Sequence, residues 1–392
     1  MFLYLLNLDH DLALSCHEAN YMPPDAVKGM MFDLALLPIW FAPDGSAVLA
    51  SPTYNQNYLA EVAERFRLQV RLMVPSELKE KTSLEVVPWG WNLALRRYLL
   101  ECGLKENQLP SPDEVEVRRA LSHRRSAVEL LPTLQLNDWF CGESFFLTDD
   151  SSCRWFIESH ECCVLKSPLS GSGKGLNWCK GVYTPSIAGW CKRVIRQQDG
   201  VVAEPIYEKQ QDFAMEFYSD GCGRISFVGY SMFTTNRSGA YLSNELLSDE
   251  QIESYLGTFV PLSEIKRLRT ILIDRLTDRL STRYTGFLGV DMMICSWPDA
   301  PNFRIHPCVE INLRMNMGIV ARRLFDRLVA PDRRGEFRIT YSEQTGEALT
   351  EHQQALEEAP LVCRDGKIES GYLALTPIYS QTHYRAWIKV HS

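Results

Sequence analysis

The chain has 392 residues, which at roughly 100–200 residues per domain implies two or three domains. Apolar residues make up 45% and charged residues 23%, which excludes a disordered, collagen-like or coiled-coil chain. Lys plus Arg is 41 against 49 Asp plus Glu, a net charge of −8, so no nucleic-acid partner is expected, because backbone binding needs an excess of Lys and Arg.

The densest apolar stretch, 34–42, is nine residues long and contains Pro38, whereas a membrane span needs about 20. No membrane partner is expected. The opening MFLYLLNLDHD has no basic region, and Asp9 and Asp11 stop its apolar run, so it does not read as a signal peptide. The 12 cysteines form no CxxC and no zinc-like spacing, and are read as reduced thiols in a cytoplasmic protein.

Along the chain, apolar runs at 2–6, 47–50 and 69–74 alternate with helical spacing at 57–66 and 91–102. This pattern predicts a small parallel α/β domain over 1–120, ending in the Pro-punctuated stretch 109–113. A helix is expected at 114–131. Beyond it come strands at 162–166, 201–204, 213–218 and 224–230, a helix at 186–197 and a long one at 262–284. Two further strands, 287–296 and 303–311, are joined by a turn containing Pro298 and Pro301. Strands separated by long helices indicate an α+β unit over 121–328, in lobes of about 121–205 and 206–328. Strand character at 336–341, 361–363, 367–375 and 384–390, with the hairpin signal Arg364-Asp365-Gly366, predicts a β-rich C-terminal extension over 329–392.

Four features in fixed order carry chemistry. The first is VLKSPLSGSGKGL, 164–176, a Gly/Ser loop directly after a strand. Such a loop can turn several backbone N–H groups toward phosphate oxygens, and Lys166 and Lys174 flank it. It is not a Walker A loop, whose first Gly and closing Ser or Thr fall on Pro168 and Gly175 here. The second is VVAEPIYEKQQDFAMEF, 201–217, in which Glu204 closes a strand and Pro205 prevents a regular helix. The third, GFLGVDMMI, sets Asp291 inside an apolar strand. The fourth, FRIHPCVEINLRMNMG, puts Glu310 and Asn312 on one strand face with Arg314 following. If the last two strands pair, Asp291 comes beside Glu310. Facing buried carboxylates are costly unless a cation or base offsets their charge; two carboxylates with an amide oxygen suit Mg²⁺, and ion pairs of Asp291 and Glu310 with Arg or Lys are the alternative.

A lysine with a glycine loop, a Glu hinge, an Asp in a strand and Glu-x-Asn-x-Arg together resemble the ATP-grasp superfamily, over roughly 121–328. The resemblance implies a two-lobed ATP-grasp fold of the carboxylate–amine ligase kind, with ATP and Mg²⁺ as cofactors, two ions being expected and Mn²⁺ able to substitute. It implies that Lys166 contacts the α and β phosphates. The loop bearing Ser170, Gly171, Ser172, Gly173, Lys174 and Gly175 would close over the triphosphate. Glu204 and the Ile206 backbone would meet adenine, and Asp212 the ribose. Asp291, Glu310 and Asn312 would be the metal ligands. Arg314, Lys174 and Arg237 would steady the transferred phosphate or the substrate. Arg124 or Arg125 would replace an early phosphate-binding Lys. Gly289 stands where several ligases carry an Arg, which shifts that role toward Arg314.

The implied reaction activates a small-molecule or peptide carboxylate as an acyl-phosphate, which an amine or other nucleophile then attacks. A small-molecule kinase, or a nucleotide-binding protein without turnover, are the alternatives. The polar residues Asp9, His10 and Asp11 follow the first apolar run, where open α/β sheets gather ligands, although His10 reads equally well as a turn residue.

Overall fold

The computed structural model describes residues 1–171, 173 and 175–391. They form two compact units. Unit 1 comprises Met1–Glu116, Leu242–Ser248 and Arg314–Ser392; unit 2 comprises Val117–Tyr241 and Asp249–Leu313.

Unit 1 begins with four short strands, β1 (Phe2–Leu5), β2 (Ala47–Leu49), β3 (Arg71–Met73) and β4 (Glu85–Pro88). They are parallel, in the order β3-β2-β1-β4. Helix Asn55–Phe66 makes the crossover from β2 to β3, burying Leu59, Val62 and Phe66 at helical spacing. Leu3, Leu5, Met73 and Val86 pack with Leu95 and Leu99 of helix Leu93–Glu101, whose first turn is capped by Asn92. The first three strands match the apolar runs. β4 does not stand out as an apolar run, because it opens on the charged Glu85 and closes on Pro88.

Unit 2 opens with helix Pro112–Leu121, which starts at the end of unit 1, and helix Arg125–Leu130. The single helix expected here is broken at Ser122–Arg124. The Ser122 hydroxyl donates back to the Arg118 carbonyl, and the Arg124 N–H leaves the helical ladder for the Pro168 carbonyl. Next come β5 (Phe145–Leu147), β6 (Cys163–Lys166), β7 (Leu176–Cys179) and β8 (Val201–Pro205), an antiparallel sheet in the order β5-β8-β6-β7. Helices Asp150–Glu158 and Pro185–Gln198 bury Cys153, Phe156, Ile157, Cys191 and Val194 in one core with Cys163 and Leu165.

The second part of unit 2 is built on longer strands, β9 (Lys209–Asp220) and β10 (Ile225–Thr235). β11 (Tyr241–Leu246) follows, its residues from Leu242 on belonging to unit 1. β12 (Thr285–Ser296) and β13 (Phe303–Asn312) complete an antiparallel β13-β12-β9-β10 arrangement. Helix Leu262–Leu280 buries Ile265, Leu268, Leu272, Leu276 and Leu280, one stripe of its surface.

The C-terminal strands return to unit 1. β14 (Arg334–Tyr341), β15 (Val362–Arg364), β16 (Lys367–Ala374) and β17 (Tyr384–His391) pair antiparallel in the order β11-β14-β17-β16-β15. Their end of the chain is tied to its beginning. The Trp40 indole donates to the Leu375 carbonyl at 2.6 Å, and the Tyr58 hydroxyl to the Ala374 carbonyl at 2.5 Å. The architecture is thus the expected one: a small parallel α/β sheet, a two-part α+β body and a C-terminal antiparallel extension. All twelve cysteines are free thiols, and among the described residues no helix is long and apolar enough to cross a membrane.

Candidate functional site

The β12–β13 register brings the motif side chains together. Asp291 lies opposite Glu310, and Asn312 opposite Gly289, so all three side chains stand on one face of the sheet. Asn312 Nδ2 donates to Asp291 Oδ2 at 2.9 Å. A further carboxylate shares this face. Glu216 of β9 lies opposite Gly289, is 1% exposed, and accepts from the Ser231 hydroxyl at 2.9 Å. With no side chain on Gly289, nothing on β12 stands between Glu216 and Asn312. No motif flagged Glu216; its signal is an acidic residue inside the apolar run 213–218.

Three carboxylates on one sheet face require compensating charge. Arg124, placed by the break between the two helices, supplies part of it. Its Nη2 is 2.7 Å from Glu310 Oε1. The same guanidinium donates to the Ser167 carbonyl at 2.5 Å, the Ser170 hydroxyl at 2.6 Å and the Ser170 carbonyl at 3.1 Å. Arg124, not Arg125, therefore joins the glycine-rich loop to the acidic face. Arg125 instead pairs along its own helix with Glu129.

The loop is closed at its neck, where the Ser167 N–H donates to the Gly175 carbonyl at 2.8 Å. Gly173 and Gly175 both have left-handed φ, +72° and +75°, and a Cβ on Gly175 would lie 2.7 Å from the Ser170 hydroxyl. Only glycine fits such a turn without strain. Gly171 is buried. Ser172 and Lys174 lie outside the described residues.

Lys166 ends β6 and is buried; its ammonium is 2.5 Å from Glu204 Oε2, and the Ser144 hydroxyl holds the other Glu204 oxygen at 3.0 Å. The antiparallel β6–β8 register, Val164 opposite Glu204, makes them diagonal neighbours. Ile206 is exposed, and its N–H donates to the Cys162 carbonyl at 3.3 Å. Asp212 is held by the Lys209 ammonium at 2.5 Å and the Thr235 hydroxyl at 3.1 Å. Arg237 occupies an exposed turn after β10. Arg314 belongs to unit 1, where Asp11 takes its Nε and Nη2 in two 2.8 Å bonds.

Sequence reasoning gave His306 no role. It stands on β13 opposite Met293, is fully buried, and has neither ring nitrogen hydrogen-bonded among the described residues. Burial pushes its imidazole down to about 4, against the opposing pull of the Glu204 carboxylate. Among the described residues no three His, Cys, Asp or Glu side chains form a metal cage by themselves. The donor set of Asp291, Glu310 and Asn312 fits an ion that completes its shell with water and substrate oxygens, which is the habit of Mg²⁺.

No protein-family model and no curated protein sequence matches the chain. Solved structures do. Biotin carboxylase from Campylobacter jejuni, in complex with β,γ-ATP, is similar at TM-score 0.55 and 10% identity, over 100% of this chain and 87% of that one. Pyruvate carboxylase from Rhizobium etli, with acetyl coenzyme A, is similar at TM-score 0.53 and 10% identity, over 100% of this chain and 36% of that one. At such identity the likeness speaks for the fold: the chain has the ATP-grasp fold, the one its motif order resembles.

Proposed function

We propose that this chain is an ATP- and Mg²⁺-dependent ligase that joins the carboxylate of a small molecule or peptide to an amine or another nucleophile through an acyl-phosphate. The observation that carries this reading is the shared face of Asp291, Glu310 and Asn312, linked through Arg124 to the glycine-rich loop. The similarity to a biotin carboxylase complexed with β,γ-ATP supports a nucleotide in the same fold.

In this reading Lys166 and the amides of the 170–175 loop hold the phosphates. Glu204 and Ile206 border the base, and Asp212 the ribose. Asp291, Glu310 and Asn312 would hold Mg²⁺, which when bound offsets the charge spread over the phosphoryl oxygens. Arg124 has two partners to choose between. Here it neutralises Glu310; with a nucleotide bound its guanidinium would serve a phosphate oxygen and leave the Glu310 carboxylate available to hold Mg²⁺. The substrate carboxylate attacks the γ-phosphorus, the bond to the bridging oxygen breaks, and ADP leaves. The neutral amine then attacks the acyl carbon, and phosphate departs with the electron pair and takes up the proton that the nitrogen loses. The loop shields the mixed anhydride from water. Arg237, Lys174 and Arg314 remain the candidates for steadying the acyl-phosphate.

The test is phosphate release from Mg²⁺ and ATP with paired panels of carboxylates and amines. Release that requires both co-substrates is expected, and Glu310→Gln should cut it by about 100-fold or more with an unchanged circular-dichroism spectrum. Wild-type turnover in that variant removes Glu310 from the metal set. A stable phosphorylated product formed without any amine would make the protein a kinase instead.

A further inference from the structure

The Arg124 side chain is 7% exposed, and both of its Nη atoms are fully engaged within unit 2. Nη1 serves the Ser167 carbonyl and the Ser170 hydroxyl; Nη2 serves the Ser170 carbonyl and Glu310 Oε1. These are four acceptors for the four Nη hydrogens of a group that stays charged at any ordinary pH. A phosphate that takes a guanidinium in two bonds uses at least one Nη hydrogen, because each edge of the fork includes one. One of the four acceptors must then give way.

The four are not equivalent. Three belong to the loop and are neutral, and the loop is tied to Arg124 once more through the Arg124 N–H and the Pro168 carbonyl at 3.0 Å. Glu310 is charged, belongs to β13, and meets the guanidinium in a single contact at 2.7 Å, with its side chain 26% exposed. A phosphate replaces Glu310 charge for charge, whereas displacing the buried Ser167 carbonyl would leave an acceptor unpaired. The released Glu310 then stands opposite Asp291 with its counter-charge gone, a pairing that a cation relieves. Conversely, while Arg124 holds Glu310, a metal ion approaching that carboxylate meets a fixed positive charge.

We infer that the Arg124–Glu310 pair is an autoinhibitory latch: it holds Mg²⁺ off the acidic face until a nucleotide phosphate draws the guanidinium away, so that metal and nucleotide bind as a coupled pair. The inference rests on the phosphate and metal roles proposed above and adds their dependence on each other. By linkage the effect runs both ways, so removing either half of the latch favours the ligand of the other half.

The experiment measures two affinities of the full chain: Mn²⁺ without nucleotide, by electron paramagnetic resonance, and ADP in excess EDTA, by calorimetry. Arg124→Gln should bind Mn²⁺ at least tenfold more tightly than wild type, while Arg124→Lys, which keeps the charge, should stay within threefold of it. Glu310→Gln should bind ADP at least fivefold more tightly than wild type. Asp291→Asn is its control: it removes one negative charge opposite Glu310, leaves the Arg124–Glu310 contact in place, and should gain no more than twofold. The inference is overturned if Arg124→Gln binds Mn²⁺ no more tightly than wild type. It is equally overturned if Glu310→Gln and Asp291→Asn shift ADP alike, the mark of local charge without a latch. Should Arg124→Gln fail to fold, the comparison of the two acidic-face variants decides. Both shifts without ATP turnover for any pair of co-substrates would keep the latch and sink the ligase. Turnover with neither shift would do the reverse.

Discussion

Single residues in unit 2 divide into those whose charge is answered inside the fold and those that wait for something else. Lys166 and Glu204 answer each other at 2.5 Å, both buried. Truncating Lys166 alone would strand the Glu204 charge in the interior, so the variant would lose stability together with any nucleotide contact, and the two losses would be hard to separate. His306 offers a cleaner measurement. Its imidazole sits at about 4, below the ordinary value of 6.5, because full burial disfavours the cation. The fold therefore favours the neutral ring. That contribution is complete above pH 6.5 and drains away as the pH falls toward 4. Relative to His306→Leu, the wild type should lose about 3 kcal/mol of unfolding free energy over that window, with a constant difference above it. Denaturant titrations of both proteins at each pH would measure it, and parallel curves would mean that the ring titrates normally.

At the scale of elements, the decisive local structure is the break at Ser122–Arg124. Helical spacing continues through it, which is why the sequence reads as one helix over 114–131 and leaves Arg124 and Arg125 equivalent. The break is made by partners far away in the chain, the Pro168 carbonyl for the Arg124 N–H and Ser167 and Ser170 for its guanidinium. No local pattern encodes those. The strands bearing Asp291, Glu310 and Asn312 were legible because period-two alternation fixes which side chains share a face, while their pairing fixes who stands opposite whom. Glu216 was hidden for the complementary reason: its relevance appears only through Gly289 on a neighbouring strand. The loop's glycines were legible as a loop, but not as a turn that needs left-handed φ. Gly175→Ala combines a φ of +75° with a contact of 2.7 Å to Ser170, the residue that Arg124 grips. It should cost about 1–3 kcal/mol and weaken ATP at least several-fold, read by denaturation and by nucleotide titration. A variant with unchanged ATP affinity would show that the turn serves folding only.

At the scale of the whole molecule, chain order and spatial grouping part company. The C-terminal strands look in sequence like an appendage, since nothing in their composition says what they cover. In the fold they are bound to the first fifty residues. Asp33, 8% exposed, accepts at Oδ2 from the His383 and Tyr384 N–H groups, at 2.9 Å each. This one carboxylate satisfies two backbone donors at the start of β17, a strand flanked by β14 and β16. Asp33→Ala leaves both donors without that acceptor and should cost about 2–4 kcal/mol. Hydrogen exchange can show where the loss falls. If β17 and the parallel sheet are one cooperative unit, amides of 384–391 and of 2–5 should lose protection together, while those of 163–166 and 287–294 keep theirs. Loss confined to 384–391 would make the C-terminal strands a separately unfolding extension. Loss spread evenly through both sets would mean that the two units unfold as one.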